Sequence, residues 1–360
     1  MQGMSADQHD ELFESPKPVT IRLSDPAELV AGLAALFGFW PRHSLMFVAV
    51  DDTRGILGFR ARADLPELWD VEQTVGQLVQ AARANDVSAV IVMAHSTDTS
   101  LRMLALEQLA DAFVQGSIRV ADALHLDDAR FWSLRCADVQ CCPPQGRPYD
   151  ASTSRLVVES IGMGQRIVGD RSELKAEVAE PVGAAARHLS QLCNQVLARL
   201  VRQHGADPAE DGLELRPALL RAGAVRVKEL IGEGIGGDPT AVGDDDAAEL
   251  AIWCRSITVR DIAWAQVDSG DPRKHLLLWQ AVARRTIAPF EPAVLSLAAF
   301  CAWRSGDGAR ASLALERALR ADPDYSMARL IDGVLRGALS PSIWQPVSEE
   351  AIWEAVGVTL

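Results

Sequence analysis

Hydrophobic and polar positions in the first half of the chain follow two periods. Ser44 to Val50 and Ile56 to Ala63 are β-rich runs joined by the polar stretch Asp51-Asp52-Thr53-Arg54-Gly55, the pattern of a hairpin. Val71 to Ala84 carries Val71, Val75, Leu78, Val79 and Ala82 at helical spacing. Val87 to Met93 is an almost unbroken apolar run, which fits a central strand buried on both faces. Leu101 to Val114 returns to the helical period, and Ser117 to Leu126 and Arg130 to Arg135 supply two further strands. Upstream, Val19 to Leu23 alternates like a short strand, and Asp25-Pro26-Ala27-Glu28 offers a cap, a proline at the first helical position and a reciprocal carboxylate for a helix reaching about Phe37. The order βαββαβαββ predicts a mixed sheet packed with helices, an α+β or α/β fold.

Past the loop from Cys136 to Asp150, every periodic stretch is helical. Gly205 to Pro217 and Gly232 to Asp246 are polar and rich in Gly or Pro, and they read as linkers or long loops. Four regions follow: a disordered tail at 1–18, an α/β domain at 19–150, a helical connecting region at 151–243 and a helical-repeat region at 244–360. The repeat is read from Ser269-Gly270-Asp271 and Ser305-Gly306-Asp307, 36 residues apart and flanked by residues of matching character. Gly306-Asp307, Ala311, Leu315, Ala318 and Pro323 resemble a tetratricopeptide repeat in spacing. Ala311 and Ala318 should then face a neighbouring helix at close range, with Arg317 one step around the helix and tolerant of replacement.

Charge and cysteine usage narrow the function classes. A net charge of -14 and a pI of about 5.0, with no Lys/Arg run, argue against nucleic acid or anionic lipid as a partner. No stretch approaches the roughly 18 apolar residues of a membrane span. Six cysteines without a secretory leader fit a reducing, cytoplasmic setting in which thiols stay free or bind metal.

Several segments together resemble an actinobacterial family of domains of unknown function, family 4192. The residues that carry the likeness are Leu36-Phe37-Gly38-Phe39-Trp40-Pro41-Arg42 with Ser44-Leu45, Arg62-Ala63-Asp64-Leu65-Pro66, Trp132, Cys136, Cys141-Cys142-Pro143 and Gly146, then Gly306-Asp307 through Asp322-Pro323. Ala34 departs from it, since a proline is usual there. The resemblance implies a fold and a bacterial origin and brings no activity or catalytic residue.

Three groups of residues are candidates for chemistry or binding. Cys136, Cys141 and Cys142 put three thiols in a Pro/Gly-rich loop at a strand end, where they could hold a soft cation such as zinc, exchange disulfides, or pack as small apolar side chains. Arg42, Arg62, Asp64 and His95 lie near predicted element ends, His95 following the central strand at the end where α/β sheets place ligands. Trp264, Trp279, Phe300 and Trp303 either glue the repeat helices together or line a groove for a protein partner. Walker, His-Glu-x-x-His and Gly-x-Ser-x-Gly signatures are absent, and the glycines from Gly232 to Gly237 follow a helix where a phosphate loop needs a strand. Two functions stay open: a protein-binding scaffold using the helical groove, and an enzyme or a redox or metal sensor working near the cysteine loop.

Overall fold

The computed structural model describes residues 25–51, 56–162, 165–205 and 216–358. The tail 1–18, the strand expected at Val19 to Leu23, the hairpin tip 52–55 and most of the loop from Gly205 to Pro217 lie outside the described residues. The chain divides into two compact units, one of Met1–Gly32, His43–Ala82 and Asp86–Val158, the other of Leu33–Arg42, Arg83–Asn85 and Glu159–Leu360.

The first unit is built on a six-stranded mixed sheet. Asp25 caps α1 (Pro26–Ala31) by accepting from the Ala27 amide at 2.9 Å, and Pro26 occupies the first turn where its missing N–H costs nothing. The helix expected to run on to Phe37 instead breaks at Gly32, and α2 (Leu33–Phe37) follows. A Cβ on Gly32 would lie 2.5 Å from Leu156, so the break coincides with close packing. Strands β1 (Ser44–Asp51), β2 (Ile56–Asp64), β3 (Ala89–His95), β4 (Arg119–Leu126), β5 (Arg130–Ser133) and β6 (Arg147–Pro148) lie in the order β2-β1-β3-β4-β5-β6. The pair β3 and β4 is parallel and the other neighbours are antiparallel.

Helices α3 (Val71–Ala84) and α4 (Thr99–Gln115) supply Val75, Leu78, Leu106, Leu109 and Phe113 to a core shared with Phe47, Val90, Val92 and Ala94. Phe47 and Phe113 meet edge to face at 5.2 Å. Alternate residues Met46, Val48 and Met93 are buried as well, so β1 and β3 are covered on both faces. That is why their sequences are continuously apolar. β6 is too short to leave a periodic signal and fell within the expected loop.

The second unit is helical: α5 (Arg155–Gly162), which begins in the first unit, is followed by α6 (Arg171–Ala176), α7 (Gly183–His204), α8 (Pro217–Gly236), α9 (Asp244–Trp253), α10 (Ile257–Gln266), α11 (Pro272–Ala283), α12 (Glu291–Arg304), α13 (Gly308–Ala321), α14 (Ser326–Arg336) and α15 (Glu349–Ala355). Residues 33–42 join its core through Phe39, which pairs with Val168 and is 1% exposed. The stretch expected as a linker from Gly232 to Asp246 is helical at both ends, Gly232 to Gly236 closing α8 and Asp244 to Asp246 opening α9, with residues 237–243 connecting them. The glycines of α8 admit close neighbours, since a Cβ on Gly234 would come within 2.9 Å of Leu278 and one on Gly223 within 2.4 Å of Trp253. Asp244, Asp245 and Asp246 occupy the first turn of α9, where they complement the helix dipole and pair with Arg285, Arg199 and Arg226.

The two repeat turns share a cap and differ in backbone. Asp271 and Asp307 accept from the amides of Arg273 at 2.9 Å and Arg310 at 3.0 Å. Gly306 is left-handed at φ +75, whereas Gly270 is extended after a short 3-10 turn. Ala311 and Ala318 are fully buried, in keeping with close helix packing. Arg317, expected to tolerate replacement, is instead buried and fully engaged. It is 6% exposed, donates to Glu291 at 2.5 Å, and also donates to the carbonyls of Val178, Ala179, Ala283 and Thr286 at 2.9 to 3.1 Å. Among the described residues, no helix is long and apolar enough to cross a membrane.

Candidate metal centre

The cysteine loop is held at both ends. β5 and β6 pair Arg130 with Pro148 and Phe131 with Arg147, so residues 134–146 leave and re-enter the sheet side by side. At the exit, the Ser133 hydroxyl accepts from the amides of Arg135 and Cys136, both at 3.1 Å, and donates to Asp122 at 2.6 Å. At the return, Gly146 is left-handed at φ +76, and a Cβ there would stand 2.5 Å from the Trp132 ring. Trp132 donates its indole N–H to the Pro144 carbonyl at 3.0 Å, and Arg130 reaches the Gly146 carbonyl at 2.8 Å. Arg147 grips Asp25 through two bonds of 2.8 Å. His125 stacks on the Trp132 ring at 4.9 Å, and the Arg102 guanidinium lies over that ring at 5.5 Å.

Within this frame the Sγ atoms of Cys136, Cys141 and Cys142 all lie within 4.8 Å of one another, and none is in a disulfide. For tetrahedral zinc with Zn–S bonds of about 2.3 Å, ligand sulfurs stand slightly under 4 Å apart, so a cation would draw these three together only modestly. Among the described residues no His, Asp or Glu joins the group. Cys141 is exposed and its two companions are half-buried, which leaves the cluster open to solvent. The Cys142 thiol and the Asp138 amide donate to Cys136, holding its thiol below the usual range. Burial and its contact with Cys136 push the Cys142 thiol up to about 12. Cys193, Cys254 and Cys301 are buried elsewhere and act as small apolar side chains.

Of the four candidates Arg42, Arg62, Asp64 and His95, the last three share one end of the sheet. Ser44 sits opposite both Asp64 and His95, Arg62 donates to the Ser44 hydroxyl at 2.9 Å, and Arg62 pairs with Asp64. His95 is 2% exposed, with Nδ1 accepting from the His43 amide at 3.3 Å and Nε2 standing 3.4 Å from Asp128. This arrangement ties strand ends together and seals His95 from solvent. Arg42 is exposed and belongs to the helical unit.

The aromatic candidates are core residues. Trp279 is fully buried, and Phe300 and Trp303 are 1% and 6% exposed, so these three cannot line an open groove. Trp264 is half-buried, meeting Phe300 edge to face at 5.2 Å and stacking on Trp344 at 5.1 Å. Trp344 carries no periodic signal in the sequence, since it stands alone beyond the repeat. Its indole donates to Asp268 at 3.0 Å.

The sequence profile described as Domain of unknown function (DUF4192) matches residues 26–342. The chain belongs to the DUF4192 family. The match spans both units, so the sheet, the cysteine loop and the helices together make up the DUF4192 region. No curated protein and no solved structure matches this DUF4192 chain.

Proposed function

We propose that the α/β unit is a thiolate metal-binding module in which Cys136, Cys141 and Cys142 hold a soft cation, zinc being the first to test. The observation that carries this reading is the mutual approach of three unbridged sulfurs within 4.8 Å. Further support comes from the Asp138 amide, which donates to Cys136 and would stabilise its thiolate as outer contacts do in metal sites. Three protein ligands leave a fourth position for water or an exogenous ligand, the pattern of zinc sites that bind and exchange a ligand. This function belongs to the reducing cytoplasm, where the thiols stay available.

The test is zinc content of the full chain purified under reducing conditions. About one ion per chain is expected. Cys136→Ser, Cys141→Ser and Cys142→Ser should each lower zinc affinity by about tenfold or more, with Cys193→Ser as the control. A chain free of zinc that takes none up on titration overturns the reading.

A second reading gives the helical unit a protein partner, in the manner of tetratricopeptide arrays. It is favoured by Asp271 and Asp307, which cap successive hairpin helices one period apart. The contact surface would then be an exposed one such as that around Leu330 on α14, 55% exposed, and not the buried aromatic cluster. A partner recovered with the full chain and lost on Leu330→Asp supports this reading, and equal recovery removes it.

A further inference from the structure

The same loop carries a chemistry that needs no metal. Adjacent residues have Cα atoms about 3.8 Å apart, shorter than an ordinary disulfide spans, so Cys141 and Cys142 are poorly placed to bond to each other. The sulfurs of Cys136, Cys141 and Cys142 lie within 4.8 Å of one another, and Cys136 is in hydrogen-bond contact with both of the adjacent thiols, the contact with Cys142 being the stronger. The remaining cysteines are buried in the helical unit, leaving the three loop thiols as the accessible ones.

We propose that the metal-free loop is an oxidation site at which hydrogen peroxide joins Cys136 to Cys142 in a disulfide, with Cys141 left as a thiol. The Cys136 sulfur attacks one peroxide oxygen, the O–O bond breaks, and the second oxygen leaves as water. Cys136 is now a sulfenic acid. The Cys142 sulfur attacks Cys136, the S–OH bond breaks, and the hydroxyl leaves as a second water with the Cys142 proton. Two thiols are oxidised by two electrons, and one peroxide is reduced to two waters. The disulfide withdraws two of the three sulfurs from any cation, so oxidation also releases metal. The inference uses the cluster of the metal-binding reading but does not depend on a cation being bound there.

The test uses the full chain, reduced, stripped with a chelator and treated with hydrogen peroxide. Thiols titrated after denaturation should fall from six to four, and peptide mapping should find Cys136 joined to Cys142. Cys141→Ser should form the same disulfide. Cys142→Ser should instead accumulate a sulfenic acid on Cys136 that a dione reagent captures. Cys136→Ser should slow peroxide consumption by about tenfold or more. Retention of all six thiols under conditions that oxidise free cysteine overturns the proposal, as does a disulfide through Cys141 or undiminished consumption by Cys136→Ser. A chain that binds zinc yet resists peroxide removes this inference and leaves the metal site standing. One that oxidises yet binds no zinc does the reverse.

Discussion

Replacing Arg317 by Leu should be among the most damaging single changes in the helical unit. The guanidinium is 6% exposed and neutralises Glu291, itself 5% exposed, across 2.5 Å. It also donates to four carbonyls, those of Val178, Ala179, Ala283 and Thr286. Leucine removes every one of those donors and leaves a carboxylate buried without its cation. Breaking a buried pair in this way costs about 3 to 5 kcal/mol, whereas overpacking the neighbouring site with Ala318→Leu costs about 1 to 3 kcal/mol. Urea denaturation of the full chain, followed through the transition of the helical unit, gives both values. Adding Glu291→Gln to Arg317→Leu should recover about 1 to 2 kcal/mol, because the stranded charge is then gone. A change within about 0.5 kcal/mol for Arg317→Leu, the ordinary range of a surface substitution, would refute the argument.

Gly146→Ala should destabilise the sheet unit by about 2 to 5 kcal/mol, combining the left-handed backbone penalty with collision against Trp132, and should shift Trp132 fluorescence. Unchanged denaturation and emission would contradict this. Burial lowers His275 from 6.5 to about 4, so its contribution to stability is complete above pH 6.5 and declines as pH falls toward 4, by about 3 kcal/mol in all. Denaturation of the wild type and His275→Gln across that window should show a shallower pH dependence in the variant, and parallel curves would show that His275 does not contribute. Burial, with the Arg102 charge beside it, lowers His125 in the same direction.

Elements with a long, regular period were legible in the sequence. The apolar face of α3, the pairing of β1 with β2, and the doubly buried β3 all follow from local spacing, and Asp25 acts as the cap its chemistry suggests. What spacing could not carry depends on partners distant in sequence. The glycines at the end of α8 look like a linker until Leu278 is seen against Gly234. Arg317 looks like a solvated position until Glu291 and the carbonyl cluster surround it. The thiol loop was visible as a composition, but the approach of its sulfurs was not, because it depends on the two-residue β6 and on Trp132 under Gly146. The aromatic residues were ambiguous for a different reason, since helical spacing is the same for a groove and for a core.

The pairing of β5 with β6 also determines how quickly the thiols could take up and release a ligand. A loop closed only by its bound ion would have to find its ring geometry at each encounter, with the entropic cost of closure charged to affinity. Here the sheet closes the ring beforehand, so the sulfurs are at high effective concentration even when empty. On the proposed reading, loading would require side-chain rotation and no folding of the loop. A site of that kind would suit turnover, a cation or a pair of electrons passing in and out while the paired strands stay in place.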